Sequence, residues 1–456
     1  MSVQLALNLR SSTARLPSEA GARLIYVLLD VAAQSQPGLR MPIHCCLVVD
    51  CSPSMRVPIA DESMFRELMR RGLASEVMLD GLPVWQVPGG IPSDLQGRAV
   101  SPSRWLAQAV GSAAERLDDA DRISMIAFAS SSRTLLHHQL PSDTAALRVA
   151  LHKIERSDFG SKTVLAEALG QALDIAHESR ATSHASRVIL LTDGFVEDAA
   201  PALELANGFG AAGVPITTIG LGIEFQEQLL LGLADRSGGR ATMITDAKAI
   251  PPLLDRELER SGRVLAKRAR LDLRLAQGVE LRKVFRVRPE LAELPPLSLS
   301  AGAGSVAVGA LERNAAPTFL LELVAPPRPA GEFRLLRATA HADQADGSPA
   351  PSAYAELVVG YAPGADDSIS PELGPTIDRV AAFQLQSRAL DAAAEGDSLG
   401  ATRKLAAAVT RLIELGEHDL AARAAATAKQ LAETGQIETA DAKALRYATR
   451  RLTEGG

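Results

Sequence analysis

Residues 44–55 read HCCLVVDCSPSM. A short apolar run, Cys45 to Val49, ends on Asp50, and two serines follow at Ser52 and Ser54. Three further runs have the same texture: RISMIAFA (122–129), RVILLTDG (187–194) and PITTIGLG (215–222). Between and after them lie helix-like stretches, RWLAQAVGSAAERL (104–117), VLAEALGQALDIAHE (164–178), APALELANGFGAAG (200–213) and QEQLLLGLADRSG (226–238). Strands that are apolar throughout and alternate with amphipathic helices predict a doubly wound parallel sheet covered on both faces. This α/β unit is expected over about residues 41–261.

Outward from that unit the texture changes. Towards the C-terminus, ARLDLRLA (269–276), VELRKVFRV (279–287), SVAVGAL (305–311), PTFLLELVA (317–325), FRLLRATAHA (333–342) and AYAELVVGY (353–361) are strands punctuated by Gly and Pro. They predict a β-sandwich over 262–362. The strand-like runs VQLALNL (3–9) and ARLIYVLLDV (22–31), in residues 1–40, are too few to stand alone and are candidates to complete it, which makes the α/β domain an insertion. A polar linker, GADDSISPELG (364–374), leads into an Ala-rich segment in which Leu405, Val409, Leu412 and Ile413 share a helical face. Three or four helices are expected in 363–456, the helical C-terminal domain. Its end, YATRRL (447–452), reads as a solvated helix terminus.

The chain has 456 residues, 46% hydrophobic and 22% charged, which fits about three folded domains and excludes wholesale disorder. Its net charge of −6, without a long basic run, argues against nucleic acid as a main partner. No signal peptide or apolar run of membrane-spanning length is evident, so a cytoplasmic protein without a membrane span is expected. Cys45, Cys46 and Cys51 are too close together to staple a fold and lack zinc-site spacing; they read as small core residues in a reducing compartment.

The chemistry gathers at strand ends. Asp50, Ser52 and Ser54 form D-x-S-x-S; Thr163 follows SDFGSK and precedes a helix; Asp193 closes VILLTDG. In doubly wound sheets the loops beyond the strand C-termini converge on one crevice. Two carboxylates and three hydroxyls there make an all-oxygen set, suited to a hard octahedral cation, with Mg²⁺ the best match and Mn²⁺ or Ca²⁺ as substitutes. A strand-end turn with an N-cap accounts for Asp50 and Ser52 but leaves Thr163 and Asp193 unexplained.

These five residues, in this order, resemble the metal-ion-dependent adhesion site of the von Willebrand factor A domain. DRISMIAFA (121–129), ITTIGLG (216–222) and LADRSGGRATMI (233–244) are similar to the family's second strand and its last strand, helix and strand. The resemblance implies that Ser52, Ser54 and Thr163 ligate the metal directly or nearly so. Asp50 and Asp193 then act through water, and a partner's Glu or Asp completes the shell. Pro53 stands where the family commonly has Gly, and Lys162 where a small or polar residue is frequent. The flanking sandwich and helices are similar to those of intracellular bacterial proteins that carry this domain.

Between Met55 and Ser101 lies an insertion that leaves directly from the metal loop. Its Trp85 reads either as a partner-binding anchor or as the buried residue of a small hairpin. Trp105 reads as core. His137 and His138 are expected in a loop as surface residues, since adjacent side chains do not converge on one metal without further ligands. No phosphate loop, G-x-S-x-G or H-E-x-x-H is present, and no catalytic constellation is found. The reading is a non-catalytic protein-interaction module that binds a partner carboxylate through a divalent cation. The alternative is a regulatory subunit beside a MoxR-type AAA+ ATPase. A hydrolase using Ser52 or Ser54 lacks a histidine placed as base.

Overall fold

The computed structural model describes residues 3–18, 21–35, 41–57, 62–79, 82–96, 101–180, 184–222 and 225–452. A six-stranded sheet runs in the spatial order Ala241–Ile244, Ile216–Leu221, Ala185–Thr192, Ile43–Asp50, Arg122–Phe128, Ser132–Gln139. The first five strands are parallel and the edge strand Ser132–Gln139 is antiparallel. Every residue of Ile43–Asp50 is buried, and alternation sends its side chains to two different cores. Cys45, Leu47 and Val49 pack with Leu106, Leu147 and Leu254, from the helices Pro102–Ala114, Thr144–Arg156 and Ile250–Ser261. Cys46 and Val48 pack with Leu169, Phe209 and Leu233, from Ala166–Arg180, Ala199–Ala212 and Glu227–Ser237. Burial pushes the Cys45 thiol up to about 12, so all three free cysteines serve as small apolar residues. From Ile43–Asp50 the chain crosses to Arg122–Phe128 on one side and returns to Ala185–Thr192 on the other, which opens a crevice where the two flanking paths diverge.

Two five-stranded sheets pack face to face beside this unit. One has the order Gln4–Ser11, Arg23–Gln34, Thr318–Ala325, Glu280–Arg288, Ala292–Glu293; the other Ala303–Glu312, Val264–Leu275, Gly331–Asp343, Ala353–Ala362, Arg15–Pro17. The strand Arg23–Gln34 pairs antiparallel with Thr318–Ala325 across nearly the whole sequence. Its Ile25, Val27 and Leu29 face the core between the sheets, while Leu28 points the other way, to the C-terminal helices. Burial on both faces explains why this strand reads as a continuous apolar run instead of an alternating one.

Four helices end the chain: Gly374–Ala394, Ser398–Glu414, His418–Thr434 and Thr439–Arg450. Leu373, Phe383, Leu405 and Leu445 pack on Phe285, Val287 and Leu320 of the first sandwich sheet. The last helix reaches further, because Tyr447 joins the second core of the parallel-sheet unit. Its Lys443 Nζ donates to the Phe225 carbonyl at 2.6 Å. The expectation of a solvated terminus at YATRRL is corrected here: Tyr447, Thr449 and Arg450 are 5%, 1% and 3% exposed. Arg450 meets Asp235 at 2.5 Å and Glu290 at 3.5 Å, and Arg286 meets Asp235 at 2.7 Å. Parallel-sheet unit, sandwich and terminal helix thus share one buried ionic junction.

The insertion after Met55 contains the helix Glu62–Arg70 and a hairpin of Ser75–Leu79 with Leu82–Gln86. Met64, Leu68 and Leu95 give it a small core of its own. Trp85 lies on the second hairpin strand; its side chain lies outside the described residues. Trp105 packs, partly buried, against the first core of the parallel-sheet unit.

Candidate functional site

Asp50 ends the central strand and is fully buried. One carboxylate oxygen accepts the Ser52 N–H at 2.8 Å and the other accepts the Thr192 hydroxyl at 2.6 Å. Burial raises its pKa, opposed by the hydrogen bonds from Thr192 and Ser52. The chain then turns through the 3-10 helix Pro53–Arg56, with Ser52 at its N-cap position and Pro53 in its first turn. At that position a missing N–H removes no helical hydrogen bond, and the fixed φ suits the turn, so the proline in this loop is accommodated without loss.

From the buried Asp50 a hydroxyl chain leads outward. Ser52 Oγ lies 3.0 Å from Ser54 Oγ, and Ser54 Oγ donates to Asp193 Oδ1 at 2.8 Å. Ser52 is buried and Ser54 exposed. The predicted residues Asp50, Ser52, Ser54 and Asp193 are thereby joined in one network across two loops. Thr163, 8% exposed, enters through its backbone: its carbonyl accepts the Glu197 N–H at 2.9 Å, in the loop that begins with Asp193.

The Thr163 loop is held from several directions. Asp198 accepts the N–H groups of Leu165 and Ala166 at 2.8 and 2.7 Å, which caps the helix Ala166–Arg180 from across the crevice. Ser130 Oγ accepts the Lys162 N–H at 2.9 Å, and Val164 N–H reaches the Ala129 carbonyl at 2.8 Å. Gly160 makes this possible: it has φ +96°, and a β-carbon there would collide with Ser130 Oγ. Lys162 pairs with Glu197 at 3.3 Å on the exposed rim, so its charge is partly answered there.

Sequence reasoning missed two rim residues. Phe195, two positions after Asp193, is 63% exposed, and Val57, just after the serine loop, is 58% exposed. Their only signal is an apolar residue inside a polar turn. It also missed Thr192 and Asp198, which position the cluster without belonging to the five-residue pattern. A different correction concerns His137 and His138. They lie in the strand Ser132–Gln139 and come together with Glu178, a trio that could chelate a divalent metal.

A family model for the von Willebrand factor type A domain matches residues 96–195. That span holds Thr163 and Asp193 and the strands around them. The chain carries a von Willebrand factor type A domain. A second model, the Sll0103-like, C-terminal alpha-helical domain, matches residues 371–455. Among solved structures, a von Willebrand factor type A protein from Catenulispora acidiphila shares 19% identity over 99% of this chain and 97% of its own, with a TM-score of 0.72. The ArnB paralog VWA2 from Sulfolobus acidocaldarius shares 17% identity over 98% of each chain, with a TM-score of 0.58. Both show a shared fold along the whole chain. No curated protein sequence matches it. Proteins with this A domain are typically non-catalytic, in keeping with the reading of this chain as no enzyme. Among the described residues no helix is long and apolar enough to cross a membrane.

Proposed function

We propose that the chain is a non-catalytic protein-interaction module in which Asp50, Ser52, Ser54, Thr163 and Asp193 hold Mg²⁺, and through it a carboxylate of a partner protein. The observation that carries this reading is the hydrogen-bonded line from Asp50 through Ser52 and Ser54 to Asp193. A serine hydroxyl that offers a lone pair to a cation needs an acceptor for its proton. Asp193 already serves Ser54 in that way. Asp50 fits an outer position, since both its oxygens are engaged by the protein. The donor set is all oxygen, the chemistry Mg²⁺ prefers, and a divalent charge would offset the burial of Asp50. When bound, the metal supplies an electrophilic position for an outside carboxylate. Phe195 and Val57, exposed apolar residues close in sequence to Asp193 and Ser54, are assigned to apolar contact with that partner. We also propose the cytoplasm as its compartment, supported by three cysteines kept as buried thiols.

The test is partner retention from native lysate on immobilised full-length wild type and Asp193→Asn, each with Mg²⁺ and with EDTA. A protein held by wild type only with Mg²⁺ is the expected result. Equal recovery in all four conditions overturns the reading. An AAA+ ATPase among the retained proteins would select the regulatory-subunit alternative.

A further inference from the structure

The edge strand Ser132–Gln139 contains a β-bulge. Met125 pairs with Leu136 and Ile123 with Gln139, so the single residue Ser124 stands opposite two, His137 and His138. A bulge breaks the strict alternation of a strand and re-aims side chains. Two histidines adjacent in sequence consequently lie side by side, with ring centroids 4.8 Å apart. His138 takes φ +47°, a left-handed conformation uncommon for a residue with a β-carbon.

Interior groups fix this arrangement. Ser124 Oγ accepts the His138 N–H at 3.0 Å and lies 2.9 Å from His44 Nε2. The other ring nitrogen of His44 is 2.9 Å from Ser179 Oγ. With both nitrogens engaged, His44 acts as a wall, its ring centroid 4.6 Å from that of His138. His138 Nε2 is shielded from water and makes no hydrogen bond. It points to Glu178 Oε2 at 3.6 Å, and His137 Nε2 lies 3.0 Å from the same oxygen. All three ligand atoms fall within 4.8 Å of one another.

We propose that His137, His138 and Glu178 form a second metal site, for a borderline divalent cation with Zn²⁺ the best match. Zinc bonds of about 2.0–2.2 Å in a tetrahedron place ligand atoms about 3.3 Å apart. The distances from Glu178 to the two rings bracket that value, and the exposed His137 ring can turn to close the remaining gap. Two imidazoles and a carboxylate leave the fourth position to water or an outside ligand. A metal would also satisfy the buried nitrogen of His138, an orphan otherwise unusual in a folded protein. The oxygen cluster suits a hard cation and this one a softer cation, so the domain would separate two metals. The helix Ala166–Arg180 links them: Thr163 precedes its start, and Glu178 lies roughly 18 Å further along, at about 1.5 Å per residue from Ala166.

The experiment is calorimetric titration of the metal-free full chain with Zn²⁺ in excess Mg²⁺, with the visible absorption of the Co²⁺-loaded protein as a second readout. One equivalent of Zn²⁺ and a tetrahedral Co²⁺ spectrum are expected for wild type and for Asp193→Asn. His137→Ala and Glu178→Gln, both at exposed side chains, should each weaken binding by more than the roughly 10–100-fold that losing an outer-shell partner costs. No zinc uptake by wild type overturns the proposal. So does binding by the two ligand variants as tight as that of wild type, or binding that Asp193→Asn abolishes and His137→Ala spares.

Discussion

Asp235 faces two arginines, Arg286 and Arg450, at 2.5–2.9 Å, and the three side chains are only 4–13% exposed. Asp193 faces a serine hydroxyl at 2.8 Å on a loop open to solvent. In the first place the charge of the carboxylate is cancelled inside the chain. In the second the carboxylate accepts a neutral hydroxyl at the solvent edge of the fold. The central strand repeats the contrast between its own ends. His44 has each ring nitrogen beside a buried serine hydroxyl, and its network stays within the fold as far as the His138 backbone. Asp50 is held as firmly, yet its network continues through Ser52 and Ser54 to the surface. A polar network satisfied inside the fold fits a structural role, and one that reaches the surface is where the proposed ligand can be tested.

The largest effect should come from opening the closed junction. Arg450→Ala leaves Asp235 and Glu290 short of a buried partner, which typically costs about 3–5 kcal/mol. Urea unfolding of the variant should show that loss, with early proteolysis of the terminal helices. A loss under about 1 kcal/mol would mean that water has entered and the junction is not closed. His44 comes next. Burial, helped by the neighbouring histidines His138, His184 and His137, lowers its pKa from 6.5 to about 3. Between those values the unfolded chain binds a proton that the folded chain refuses. Its contribution is therefore full above about pH 6.5 and lost on acidification, at about 1.4 kcal/mol per pH unit. From pH 6.5 to pH 5, wild type should lose about 2 kcal/mol more than His44→Gln in paired unfolding curves. Parallel curves would show that His44 titrates freely.

What was legible in the sequence follows the same division. The run from Cys45 to Val49 marks its strand because burial on both faces favours apolar residues there. Ser52 and Ser54 are local to that strand end, and Thr163 and Asp193 stand where loops of a parallel sheet converge. The role of Arg450 was invisible, since its acidic partner Asp235 lies 215 residues away and no local pattern announces it. The pairing of His137 with His138 depends on a single extra residue in a strand, and the sequence there contains no glycine to mark a bulge. Phe195 belongs to no periodic pattern, so only its exposure in the fold singles it out.

At the open cluster, stability and binding should come apart. Asp193→Asn keeps an acceptor for Ser54 and should change stability by no more than about 0.5 kcal/mol, as surface substitutions do. It should nevertheless abolish Mg²⁺-dependent partner retention, because the anionic charge proposed to help hold Mg²⁺ is gone. A large loss of stability would instead class Asp193 with Asp235 as an internal structural group.

Phe195→Ser makes the smallest and most informative change. It touches no hydrogen bond of the cluster, and a side chain 63% exposed contributes little to the core. Unfolding should shift by less than about 0.5 kcal/mol, and Mg²⁺ affinity measured without a partner should not move. If the rim contacts the partner, removing an aromatic side chain should cost about 1–2 kcal/mol of binding, roughly 5–30-fold in Kd. An unchanged Kd would leave the partner touching the metal alone. A fall in Mg²⁺ affinity would mean instead that Phe195 shapes the metal loop, and the edge described as open would be partly closed by it.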